Sequence, residues 1–185
     1  MPELPEVESV VNDIRPGVVG KTISGIDILL ERLIKTDLKE FKNKVIGQKI
    51  VAVERRGKYI LIYLENKRIM VVHLRMTGAL IFFGKNQKIN EKHGRIIFHL
   101  DDGSTLLYAD SRTLGTLHLI SDIEEIGGLS GLGPEPLSQE FSDAYLQERL
   151  KDRRASIKGI LLDQTIIAGL GNIYVDEALF RSGVR

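Results

Sequence analysis

The chain begins Met1-Pro2-Glu3-Leu4-Pro5-Glu6, which sets a potential secondary amine and two carboxylates close together. Removal of Met1 would leave Pro2 with a free α-amino group. Such an amine has a pKa near 7.7–8.0 against about 10.4 for lysine, so around pH 7.4 roughly a quarter of it is neutral and nucleophilic, against about a thousandth for lysine. A helix starting just beyond it lowers that pKa further, because its positive end disfavours added positive charge. Neutral amines attack carbon at the aldehyde oxidation level and form an iminium, a Schiff base in the general sense. Glu3 and Glu6 are then placed to relay protons. The same letters also read as a rigid helix lead-in, with proline suited to the first turn and acids favoured by the dipole. On these residues alone both readings stand.

The elements that position them follow from periodicity. Val7, Val10, Val11 and Ile14 fall at i, i+3, i+4 and i+7, which predicts an amphipathic helix from Pro5, ended by Pro16-Gly17. Short β-type runs follow: TISGIDILL, KIVAVERRG, KYILIYLE, RIMVVHLRM, ALIFFG, GRIIFHL, STLLYAD and TLHLI. Eight short strands with tight turns predict a two-sheet sandwich or barrel. GGLSGLGPEPL is the strongest break and reads as a linker. Beyond it SDAYLQERLK, SIKGILLDQ and NIYVDEALFRSG carry helical spacing, the last two flanking a tight IIAGLG turn. The expected class is α+β: a β-sandwich domain with an N-terminal helix at 1–126, a linker at 127–137 and a helical domain at 138–185.

Composition narrows the function. With 43% hydrophobic residues in 185 the chain can bury a core, and no run approaches the roughly 20 apolar residues of a membrane span. The acidic start is unlike a secretory or transit signal, so a cytoplasmic protein without membrane association is expected. Zero cysteines exclude disulfides and thiol chemistry, and the four histidines lack the spacing of a zinc motif, so no metal is expected. Residues 1–120 hold 19 Lys+Arg against 14 Asp+Glu, and 121–185 hold 7 against 11. This asymmetry makes a nucleic-acid surface only if the fold gathers the basic groups.

Single residues carry the same double meaning. A glycine-rich turn leading into a helix offers unpaired N–H groups to a phosphate, and Asn172 there either caps the helix or touches the phosphate. Lys58 follows a tight Arg-Gly turn and is either solvated or part of a site. His73 reads as a half-buried strand residue. Met76 follows a strand, precedes Thr77-Gly78, and is unbranched enough to slide between bases.

MPELPEVE, RRGKYI, HLRMTG, DSRTLG, LGPEPL and LLDQTIIAGLGNIYVDEALF occur in this order, and together they resemble the formamidopyrimidine-DNA glycosylase family throughout the chain. The resemblance implies a β-sandwich, a helix-two-turns-helix DNA-binding domain, and base-excision repair of oxidised purines by a DNA glycosylase with β,δ-elimination AP lyase activity. It implies Pro2 as the nucleophile at C1′, Glu3 and Glu6 as the acids, and Lys58 at the phosphate next to the lesion. His73 and Asn172 match phosphate contacts, and Lys158 matches a basic residue of the helical domain near the lesion. Met76 and Arg112 match two members of a three-residue wedge that fills the gap left by a flipped base.

Two departures accompany the match. The family's usual phenylalanine in the wedge is Leu114, and Thr113 stands where a second basic residue is usual. Leucine fills space but forgoes an aromatic stack worth roughly 1–3 kcal/mol per base. The family also continues into a C-terminal zinc finger with four cysteines, preceded by a loop that covers the flipped base; with no cysteine here, no cofactor is expected in this chain. The expected partner is damaged double-stranded DNA, met as a monomer in a bacterial cytoplasm or nucleoid. The alternative is a catalytically impaired DNA-binding fragment of such an enzyme.

Overall fold

The computed structural model describes residues 1–184. Helix α1 (Leu4–Val18) is followed by β1 (Ile23–Ile28), α2 (Leu38–Val45), β2 (Ile50–Arg56), β3 (Tyr59–Leu64), β4 (Ile69–His73), β5 (Gly78–Phe83), β6 (Gly94–Leu100), β7 (Thr105–Asp110) and β8 (Thr116–Ile120). The helical part comprises α3 (Gly127–Ser130), α4 (Asp143–Leu150), α5 (Ile157–Leu162) and α6 (Asn172–Arg181). All eight expected strands form. They make two antiparallel sheets, ordered β1-β6-β7-β5 and β2-β3-β4-β8.

Helix α1 packs on β5 and β2, the edge strands of the two sheets. Its stripe of Val7, Val11, Ile14 and Val18 is buried there and closes one side of the sandwich. The helix does not stop at Pro16 but runs to Val18. Proline removes an N–H and crowds the preceding turn; here that loss falls in the last turn. The Arg15 carbonyl still accepts the Val19 N–H at 3.1 Å, and the fully buried Val18 holds the end in place.

The β-type reading had no place for α2. Its signals are Asp37, whose carboxylate accepts the Glu40 N–H at 2.8 Å, and the i, i+4 pair Phe41 and Val45, both fully buried.

Strands β3 and β4 are buried on both faces, which is why they read as continuous apolar runs. Ile60, Ile62, Met70 and Val72 enter the core between the sheets, while Leu61 and Val71 face outward against Leu129. The Gly/Pro-rich segment at 127–137 lays Leu129 and Leu132, with the preceding Ile126, over the outer face of the second sheet on its way to the helices.

Candidate active site

Glu3 stands at the cap of α1, and its carboxylate enters the start of α6. It accepts N–H bonds from Gly171 at 2.8 Å, Ile173 at 3.0 Å and Tyr174 at 3.3 Å, and Glu3 is 3% exposed. A carboxylate at a helix N-terminus satisfies orphan donors and meets the positive dipole end. The end of the glycine turn and the first turn of α6 thus give three N–H groups to an anion of the chain itself. Glycine is required there: a Cβ on Gly171 would sit 2.5 Å from the Glu3 carboxyl carbon. Gly169 is left-handed at φ +87, its carbonyl accepts the Leu4 N–H at 3.0 Å, and a Cβ would meet Leu4 at 2.7 Å.

Glu6 completes the turn. One oxygen accepts the Glu3 N–H at 2.9 Å and the other accepts the Tyr174 hydroxyl at 2.9 Å. Burial opposes ionisation of Glu6, but these bonds outweigh it and hold its pKa below the ordinary value. Pro2, half-buried, is held between this network and Met1.

Two clefts meet at Met1. The larger, of about 500 Å³, is lined by Met1, Glu3, Lys58, Met76, Gly171 and Asn172 among others. The smaller, of about 310 Å³, adjoins Lys58, Tyr59, His73, Arg75 and Gln164. Lys58 is 7% exposed, and burial lowers its pKa despite the opposing charge of Glu3. Its turn is clamped: Glu135 accepts from Arg55 at 2.6 Å, Arg56 at 2.9 Å and the Gly57 N–H at 2.7 Å. Buried His73 is driven down to about 4 by burial, then by the charges of Arg75, Lys58 and His118. Its Nδ1 accepts the Arg75 N–H at 3.1 Å, which leaves the proton of the neutral ring on Nε2.

Next to Met76 of the larger cleft, buried Asp110 ties together the loops after β4 and β7. Its carboxylate accepts from the Thr77 hydroxyl at 2.6 Å, the Arg112 N–H at 3.2 Å and the Gly115 N–H at 2.9 Å. Burial opposes its ionisation, but these donors hold its pKa below the ordinary range. Met76 and Leu114, 45% and 47% exposed, and the exposed Arg112 project from these loops.

The formamidopyrimidine-DNA glycosylase N-terminal domain matches residues 1–117, and the H2TH domain of the same glycosylase matches residues 132–185. The chain belongs to the formamidopyrimidine-DNA glycosylase family. The enzyme of that name from Streptococcus pneumoniae serotype 4 is 45% identical over 186 residues, covering 100% of this chain and 67% of that protein. The Bacillus subtilis enzyme is 46% identical over 190 residues, with the same shares covered. The Lactococcus lactis Fpg in complex with abasic-site DNA superposes with a TM-score of 0.90 at 34% identity, covering 99% of this chain and 68% of that one. An inhibited Lactococcus lactis Fpg with DNA containing N7-benzyl-Fapy-dG gives 0.91 at 34%, covering 100% and 69%. The chain thus spans about two thirds of the relatives it matches, and the family and fold expected from the sequence motifs hold.

Within this family fold, Glu3, Glu6, Lys58, Met76 and Asn172 converge on or beside the larger cleft, and His73 on the smaller. Asn172 is the first residue of α6 and is exposed; Gly171 takes the cap position. Lys158 lines neither cleft and pairs with Asp176 at 2.6 Å. Among the described residues no group of three or more His, Cys, Asp or Glu could hold a metal, and no helix is long and apolar enough to cross a membrane. Three positioning residues carried no role in the sequence reading: Asp110, Glu135 and Gln164. The Gln164 amide bridges the IIAGLG turn, donating to the Leu170 carbonyl at 2.8 Å and accepting the Gly169 N–H at 2.9 Å. Their only signal was a polar side chain in or next to a turn.

Proposed function

We propose that this chain removes oxidised purines, 8-oxoguanine and formamidopyrimidines, from damaged double-stranded DNA and then cleaves the strand as an AP lyase. The observation that carries this reading is the lock of Glu3 onto the start of α6, which holds the adjacent Pro2 beside a cleft shared with Lys58.

With Met1 removed, the Pro2 nitrogen lone pair attacks C1′ of a flipped nucleoside. The bond from C1′ to the base breaks, and the base leaves with that electron pair and takes up, relayed by Glu3, the proton that the Pro2 nitrogen sheds once it is bonded to C1′. Opening of the sugar ring, with a proton relayed by Glu6 to the ring oxygen, leaves an iminium joining Pro2 to C1′. Loss of a C2′ proton then expels the 3′ phosphate, and a further elimination expels the 5′ phosphate. Lys58, the Nε2–H of His73 and Asn172 hold the backbone around the lesion, while Met76, Arg112 and Leu114 fill the vacated stack. Lys158 joins them by exchanging Asp176 for the lesion strand. The sandwich at 1–126 and the helices at 138–185 act as the two jaws.

The test is excision from an 8-oxoguanine or formamidopyrimidine duplex by the chain and by Pro2→Gly. Excision reduced at least about a hundredfold in the variant supports the reading; equal excision removes Pro2 from the role. Lesion binding without excision by the unaltered chain favours the impaired DNA-binding fragment.

A further inference from the structure

The loops that present Met76, Arg112 and Leu114 are flanked by cations that the reaction above does not use. Arg32, in the 3-10 turn Glu31–Leu33, donates from Nη2 to the hydroxyl of Thr113, between Arg112 and Leu114. Its segment is fastened to β8, with Lys35 donating its N–H to the Leu117 carbonyl at 2.8 Å and its Nζ to the Arg32 carbonyl at 2.7 Å. Leu33 and Ile34 are buried beneath, so Arg32 and Lys35 are held at the surface by an anchored backbone. Arg75 precedes Met76, and Lys35 and Arg75 both press on His118, adding to the effect of burial in lowering its pKa.

None of Arg32, Lys35, Arg75 and Arg112 has an ion-pair partner among the described residues. The buried carboxylate beside them, Asp110, already accepts from Thr77, Arg112, Gly115 and Tyr108. Four exposed like charges around exposed Met76 and Leu114 repel one another unless a polyanion lies across them. Thr113 adds to this: it is β-branched and left-handed at φ +54, and it carries no charge of its own. The guanidinium of Arg32 stands over that position.

We infer that Arg32, with Lys35 beside it, binds a phosphate of the strand opposite the lesion and anchors the loop that carries Arg112 and Leu114. This rests on the proposed function. The strand follows from the layout. Glu3, Lys58 and Met76 line the cleft for the flipped nucleotide, whereas Arg32, Arg112 and Leu114 are not among its lining residues, and Arg32 is bonded to the loop whose Arg112 and Leu114 enter the vacated stack. A guanidinium is suited to the task, being permanently charged and able to grip phosphate with two N–H groups. Phosphate contacts set register while base contacts specify, so Arg32 sets how the loop carrying Arg112 and Leu114 enters the vacated stack.

The test titrates the 185-residue chain, Arg32→Ala and Arg32→Lys against a duplex containing a tetrahydrofuran abasic analogue at several salt concentrations. The duplexes are made with and without methylphosphonate linkages in the opposite strand facing the lesion. For Arg32→Ala the salt slope falls by about 0.9 and affinity drops several-fold, while Arg32→Lys keeps most of both. The neutral linkages weaken the unaltered chain and leave Arg32→Ala unchanged. Equal salt slopes, or equal sensitivity to the neutral linkages, overturn the assignment to Arg32 and leave the proposed function standing. Failure of the unaltered chain to prefer the abasic duplex overturns both.

Discussion

Glu3 and Gly171 stand 168 residues apart and meet through a 2.8 Å hydrogen bond from the Gly171 N–H to the Glu3 carboxylate. With the bonds from Ile173 and Tyr174, that contact joins the first turn of α1 to the first turn of α6. The residue next to the proposed nucleophile is thus also the fastener between the sandwich and the helices.

Glu3→Ala leaves three N–H groups without their acceptor and destabilises the chain by about 2–4 kcal/mol. Glu3→Gln, which keeps one carbonyl acceptor, costs about half as much and lowers the excision rate more than it weakens DNA binding. Urea unfolding and paired rate and affinity measurements check both; equal losses of rate and binding in Glu3→Gln would make Glu3 structural alone.

Gly171→Ala forces the new methyl to within 2.5 Å of the Glu3 carboxyl carbon, so the carboxylate must move. A stability loss of about 2 kcal/mol or more is expected, with Glu3→Ala adding little on top. Additive losses in the double variant would mean that the two residues do not act through each other.

His73 supplies a pH dependence. Its pKa falls from an ordinary 6.5 to about 4, so between those values the unfolded chain binds the proton and the folded chain does not. The stability it contributes is therefore complete above about pH 6.5 and is lost as the pH falls toward 4, in total on the order of 3 kcal/mol. Glu135 and Asp110, with depressed pKa values, lose their contributions only below the ordinary carboxylate range. In His73→Asn, where the amide oxygen can replace Nδ1 as acceptor, the decline between pH 6.5 and 4 flattens while the more acidic decline persists. An unchanged profile over that window would contradict the assignment.

Leu114→Phe adds an aromatic ring at an exposed site. Unfolding should shift by less than about 0.5 kcal/mol, while affinity for an abasic duplex rises by up to about tenfold, toward the lower end of a base stack. Loss of affinity would mean that the leucine is matched to a smaller gap.

The strands and the three longer C-terminal helices were legible because hydrophobic period and turn residues report local geometry directly. The chemistry of the N-terminus was legible as letters: Pro2, Glu3 and Glu6 announce an amine with acids. Their partners were not, because the Glu3 bonds reach across 168 residues and periodicity carries no such information. Glu135 was hidden for the same reason, its donors Arg55, Arg56 and Gly57 lying 78 to 80 residues away; Asp110 and Gln164 were hidden because a polar side chain that satisfies backbone N–H groups of a nearby turn leaves no periodic mark. Helix α2 was missed because a short helix between strands offers only one buried pair to count. The glycine turn before α6 was read as open to phosphate because an internal anion occupying it leaves no local mark.

The most direct measurement is borohydride trapping of the Met1-processed chain on duplex DNA containing an abasic site, beside Pro2→Gly. A covalent protein–DNA adduct that disappears in the variant is expected. A folded, processed chain that binds the duplex and yields no adduct, or an adduct of equal yield in Pro2→Gly, would contradict the role of Pro2.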